Sequence, residues 1–141
     1  MQKNNAKREK AFLVGAIFHG FKKHQIDDQL NELKLLAETA GADTLEIITQ
    51  SRNKPNSATF IGKGKIESII NHAGELKCDL VIFNDDISST QIKNIQQIAG
   101  EGMKIIDRTG LILDIFTKHA KTNEAKTQVE LAQLNYILPR L

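Results

Sequence analysis

Four short apolar runs, each followed by a segment with apolar residues at helical spacing, constrain this chain more than any other feature. Ala11–Phe18 reads as a buried strand, and Thr44–Thr49, Asp79–Asn84 and Met103–Asp107 read as three further strands. After the first run, Ile26, Leu30, Leu33, Ala37 and Ala40 recur at intervals of four, three, four and three. That spacing draws one stripe along a helix opened by Asp27 or Asp28 and stopped by Gly41. Ile66, Ile69, Ile70 and Ala73 mark a second helix, and Ile92, Ile95 and Ala99 a third. The third has a well-marked start: Ser88 with Gln91 forms a capping box, and Ile87 and Ile92 sit where a hydrophobic staple would. It ends around Gly100-Glu101-Gly102. Repeated strand–helix alternation implies parallel strands joined by right-handed crossovers. The predicted fold is therefore α/β: a four-stranded parallel sheet flanked by helices over residues 10–108.

The alternation stops at Arg108, and from Leu111 the chain reads as helical nearly to its end, with a break around Lys121-Thr122-Asn123. Leu131, Leu134, Leu138 and Leu141 form a seam of coiled-coil spacing, which one helix cannot bury alone. Pro139 should weaken the last turn. The expected division is a subdomain over 1–108 and the first long helix of a helical appendage over 109–141. The partner helix is expected beyond Leu141, and pairing of two copies through the seam would then reflect its absence.

Cys78 is the one cysteine, so no internal disulfide framework exists, and a reducing, cytoplasmic setting is expected. The basic start, MQKNNAKREK, is followed by no apolar run suited to a signal peptide or membrane span. Net charge is only +2, but it is unevenly spread. Residues 1–10 carry four basic side chains and one acid, and residues 27–46 carry six acids against one lysine. Arg52, Lys54, Lys63 and Lys65 fall in a stretch with no acid at all. Such clustering can turn a basic side toward phosphate despite a small total.

The loop Gly62-Lys63-Gly64-Lys65 fails the named phosphate templates. Glu67 stands where a dinucleotide fingerprint needs a small residue, and the spacing and missing hydroxyl exclude a Walker loop. Gly15 and Gly20 have Walker spacing, but Phe21 occupies the lysine position and no Ser or Thr follows Lys22. What Gly62 to Lys65 does offer is flexible backbone, two cations and a helix start, which suit an anion; solvated lysines on a glycine turn are the plain alternative. Asp85-Asp86 could hold Mg²⁺, but acids ahead of a helix more simply complement its dipole. His19, His24, His72 and His119 show no metal-ligand spacing with one another or with Cys78. No nucleophile with a base partner stands out, so no catalytic residue is assigned.

Four segments together resemble one family: Phe60–Lys65, Val81–Ser88, Ile106–Phe116 (IDRTGLILDIF) and Thr127–Leu141 (TQVELAQLNYILPRL). In this order they are similar to the amino-terminal domain of HflX, a ribosome-associated GTPase family. The resemblance implies an α/β subdomain followed by a helical hairpin, with the second long helix and the GTP-binding domain beyond Leu141. It implies GTP and Mg²⁺ bound in that further domain, none in this segment, and a segment that neither binds nor hydrolyses GTP alone. The partners implied are the large ribosomal subunit with its RNA and the protein's own GTP-binding domain, in the dissociation of stalled or stressed ribosomes. Arg52, Lys54, Lys63 and Lys65, with the loop glycines Gly62 and Gly64, are the expected RNA-facing residues, extended by Lys118, Lys121 and Lys126. The alternative is a stand-alone module binding a small molecule or a nucleotide such as ATP behind the third strand, although no ATP motif is present.

Overall fold

The first strand, β1 (Glu9–Phe18), is buried on both faces from Ala11 to Ala16, as expected of a central strand in a parallel sheet. The computed structural model describes residues 7–141; Lys3, part of the basic start, lies outside them. After β1 come α1 (Lys23–Thr39), β2 (Ala42–Arg52), α2 (Lys63–Glu75), β3 (Leu80–Phe83), α3 (Ser89–Ala99) and β4 (Lys104–Asp107). Two helices follow, α4 (Arg108–His119) and α5 (Asn123–Ile137), then a 3-10 turn over Leu138–Arg140. The four strands pair in the order β2-β1-β3-β4, and every pairing is parallel.

Side-chain alternation along β1 assigns the layers. Ala11 and Leu13 join Ile26, Leu30, Leu33 and Ala37 of α1, with Ile106 and Leu111, on one face. Phe12, Val14 and Ala16 join Ile66, Ile69 and Ile70 of α2 and Ile92 and Ile95 of α3 on the other. The chain therefore winds one way from β1 to β2 and the opposite way through β3 to β4. The reversal places a topological switch point above the carboxyl ends of β1 and β3, where open α/β sheets usually build sites.

The sheet expected from the sequence is present, with its helical stripes buried. The capping box is also formed: Ser88 Oγ accepts from Gln91 N at 3.1 Å, and Gln91 Oε1 accepts from Ser88 N at 2.9 Å. Two starts differ from expectation. α1 opens at Lys23, ahead of Asp27, because Gln25 Oε1 accepts from Lys22 N at 3.1 Å and supports a first turn in which Lys23, His24 and Gln25 are exposed and Ile26 already faces the core. α4 opens at Arg108, ahead of Leu111, because Asp107 Oδ1 accepts from Gly110 N at 3.0 Å. The break before α5 is where expected, and Thr122 Oγ1 caps the new helix through Ala125 N at 3.0 Å.

No residue of α5 is buried. Leu131, Leu134, Leu138 and Leu141 are 60%, 53%, 60% and 79% exposed, so the body does not cover the seam. Helix α5 gives way to the 3-10 turn at Leu138, one residue before Pro139, as the missing N–H requires.

Candidate functional site

Both candidate regions lie on the carboxyl edge of the sheet. The first begins where β2 ends in Gln50-Ser51-Arg52. The following loop is fixed by Asn56, whose Oδ1 accepts from Ala58 N at 2.8 Å and Thr59 N at 3.0 Å. Its backbone exchanges bonds of 2.8 and 2.9 Å with Phe60. Phe60 and Ile61 are buried, which pins the loop to the core and delivers Gly62 to the start of α2 at a set position. Gly62 N donates to Gln50 Oε1 at 3.0 Å. A side chain at Gly62 would place its Cβ 3.1 Å from Arg52 Nη1, so this glycine makes room for the guanidinium. Arg52 Nε in turn donates to the Lys54 carbonyl at 3.2 Å. Lys54, Lys63 and Gly64 are exposed and Lys65 is half-buried. Among the described residues, none of Arg52, Lys54, Lys63 and Lys65 forms an ion pair with an acid.

The second basic group is elsewhere. Lys118 donates through Nζ to the carbonyl of Ala40, between the end of α1 and the start of β2, on the amino edge of the sheet. Helix α4 begins at the carboxyl edge and spans 12 residues, a rise of about 18 Å, which carries Lys118 to the far side. Lys121 lies in the turn after α4, and Lys126 in the first turn of α5, both exposed. The structure sets Arg52 and Lys54 beside Gly62, where α2 starts with Lys63 and Lys65 two residues apart on different faces, and it separates Lys118 from all four.

The second region is the switch point, and the run Asp107-Arg108-Thr109-Gly110 organises it. Arg108 reaches Asn84 Oδ1 at 2.6 Å, the Asn84 carbonyl at 3.2 Å, the Gln29 carbonyl at 3.0 Å and Glu32 at 2.8 Å. It ties β3 to α1. Thr109 Oγ1 donates to Asp86 Oδ1 at 2.7 Å. Asp107 is fully buried and accepts from Ile87 N at 3.0 Å, Gly110 N at 3.0 Å and the Tyr136 hydroxyl at 2.6 Å. Arg140 lies with its guanidinium 3.7 Å from the Tyr136 ring centre and donates to the Ile87 carbonyl at 3.3 Å. Burial, followed by the hydrogen bond to Asp107 and its charge, pushes the Tyr136 phenol above its ordinary range. Tyr136 is thus a fixed donor, and the run fastens α5 onto the body.

Asp85 completes this region. Its Oδ2 is buried with no hydrogen-bond partner, and burial raises its carboxyl above the usual range. The Ala16 backbone bond and the Arg108 charge oppose the rise, and Asp86 adds to it. A raised acid binds its proton more tightly folded than unfolded, so its cost to folding builds as pH rises above the ordinary carboxylate range and is complete above the folded value. Asp85→Asn should accordingly melt at a higher temperature than the parent at pH 7. The gain should shrink as pH falls through the raised value and vanish below the ordinary carboxylate range. Thermal melts across a pH series read this, and an Asn variant less stable at pH 7 would show that the charge is favourably used. Among the described residues, no group of three or more His, Cys, Asp and Glu side chains could hold a metal ion. The switch point is laced by these hydrogen bonds.

The molecule is an α/β body with a basic stretch, free of acids from Arg52 to Lys65, at the end of β2 and a helix latched beside its switch point. The chain belongs to the GTP-binding GTPase N-terminal family, whose sequence pattern matches residues 27–117; a GTP-binding GTPase middle-region pattern follows at 119–141. A GTPase HflX of Caldanaerobacter subterraneus is 48% identical over 134 residues, 95% of this chain and 30% of that protein. The HflX of Flavobacterium psychrophilum is 40% identical over 141 residues, all of this chain and 34% of its own length. That of Escherichia coli is 40% identical over 114 residues, 81% of this chain and 26% of its own length. The chain thus spans about a third or less of the curated relatives it matches. A GTP-binding protein of the archaeon Sulfolobus solfataricus, solved in complex with GDP, aligns at TM-score 0.70 and 26% identity. That alignment covers 94% of this chain and 38% of the other. Among the described residues no helix is long and apolar enough to cross a membrane.

Proposed function

We propose that this chain is the ribosome-docking region of an HflX-type GTPase acting in the cytoplasm, which holds the large ribosomal subunit through its RNA and helps dissociate stalled or stressed ribosomes. The observation that carries the reading is the carboxyl-edge cluster of Arg52, Lys54, Lys63 and Lys65. Its cations have no acid partner among the described residues, and they flank or stand on a loop fixed by Asn56 and Phe60, Arg52 at the end of β2 and Lys63 and Lys65 in the first turn of α2. Unpaired cations on rigid backbone are available to phosphate without first breaking an ion pair. Lys118, Lys121 and Lys126 occupy the other edge and would meet a separate stretch of RNA. Residues 1–108 would act as the docking body and 109–141 as the start of a helical arm whose leucine seam packs on a further helix of the same protein. GTP and Mg²⁺ would bind in the GTP-binding domain that relatives carry, a second partner for this region.

Changing Lys63 and Lys65 together to alanine tests the reading. Each lost phosphate contact removes roughly 0.7–0.9 from the slope of log affinity against log salt, so the double variant should flatten it by about 1.5. Stability should stay within about 0.5 kcal/mol, because Lys63 is exposed and the half-buried Lys65 holds no ion pair among the described residues. Co-sedimentation of the intact protein with large subunits across a salt series measures both affinity and slope. Equal slopes for parent and variant would remove this loop from the RNA interface.

A further inference from the structure

The turn between β1 and α1 is unused by the sites above, yet it exposes an aromatic ring beside free cations. Phe21 N donates to the Phe18 carbonyl at 3.0 Å, closing a four-residue turn with Gly20 in its third position at φ +94°. That is the geometry of a type II turn, which a side chain at Gly20 would strain. The turn is anchored below, where Phe18 packs edge-on against Phe60 with ring centres 5.6 Å apart. Above it, Phe21 is 59% exposed. Burying such a ring is worth about 1.5–3 kcal/mol, and this fold does not collect it.

The parallel register places Phe18 opposite Arg52, so the turn stands next to the basic cluster. Between them lies a cleft of about 450 Å³, lined by His19, Gly20, Phe21, Ser51, Arg52 and Asn53. Lys22 and His24 are exposed on the same turn, and Lys23 is held by Asp27 at 3.1 Å. Among the described residues Lys22, like Arg52, has no acid partner. An exposed ring at the rim of a polar cleft, with cations on two sides, is the arrangement that takes an unpaired nucleotide: the base stacks and the phosphate meets the charge. A duplex does not fit it, because stacked, paired bases offer the ring no open face.

We propose that Phe21 stacks on an unpaired base of ribosomal RNA seated in this cleft, with the adjoining phosphate on Arg52 and Lys22. This rests on the ribosome-docking reading and adds a class of contact to it. Stacking is insensitive to salt, whereas the lysine contacts are not.

The test compares Phe21→Ala, Phe21→Leu and Phe21→Trp in the intact protein, using large subunits and labelled eight-nucleotide oligouridylate and oligoadenylate as probes. Phe21→Ala and Phe21→Leu should each weaken binding to both kinds of probe roughly tenfold with the salt slope unchanged, and Phe21→Trp should restore it. If Phe21→Ala binds like the parent while the Lys63 and Lys65 variant still flattens the slope, the stacking proposal fails and the docking reading stands. If Phe21→Ala weakens subunit binding but leaves oligonucleotide binding intact, the ring meets a ribosomal protein, which also overturns the proposal. If the parent binds neither subunits nor oligonucleotides, both readings fall together.

Discussion

Asp107→Ala is expected to destabilise the fold by about 3–5 kcal/mol, as read by urea or thermal unfolding. The carboxylate is fully buried and accepts three hydrogen bonds, two from backbone amides of Ile87 and Gly110 and one from Tyr136. The two amides belong to a strand–helix connection and a helix start, so neither can turn toward water. Each stranded buried donor costs about 1–3 kcal/mol, and the lost helix cap contributes within that sum. Asp107→Asn should rescue little. Its carbonyl oxygen can serve one side of the site, but its NH₂ then faces a donor on the other. A loss below about 1 kcal/mol for the alanine variant would mean that water replaces the carboxylate, and the hub assigned to it would be wrong.

The same residues show why the sequence revealed some things and hid others. The sheet was legible because β1 and β3 are short apolar runs and each crossover helix repeats its apolar residues at one spacing. The Ser88 cap was legible because its chemistry is local, with both partners three residues apart. Asp107 is different. Its partners lie 20 and 29 residues away, at Ile87 and Tyr136, and no periodicity reports contacts of that kind. The run Asp107 to Gly110 stood out only through family resemblance, and its fastening role needed coordinates. Sequence order suggests one face for Lys118 and the carboxyl-edge lysines, but a helix that crosses the sheet separates charges which order alone cannot place. In the sequence Phe21 reads only as a defect in a nucleotide motif. Its exposure beside Arg52 follows from the strand register, which is tertiary information.

Gly110→Ala is expected to reverse the usual sign of a glycine substitution in a helix. Inside an exposed helix, replacing glycine by alanine stabilises by about 0.5–1 kcal/mol. Here a Cβ would lie 2.6 Å from the Tyr136 hydroxyl, closer than real Cβ contacts come, and 3.0 Å from Cζ of its ring, a tight contact. Gly110 is buried against the sheet, so the ring must give way. Moving it breaks the 2.6 Å bond to Asp107 and disturbs Arg140, which rests on the ring. Helix α5 otherwise packs along α4 and buries none of its own residues. The loss should therefore be local. Amides of residues 123–137 should exchange faster in Gly110→Ala, while those of β1 and β3 keep their protection. A double-mutant cycle isolates the cause. In a Tyr136→Ala background the same glycine change meets no ring and should stabilise by about 0.5–1 kcal/mol, the ordinary helix value. A Gly110→Ala that destabilises equally in both backgrounds would show that something other than Tyr136 demands the glycine.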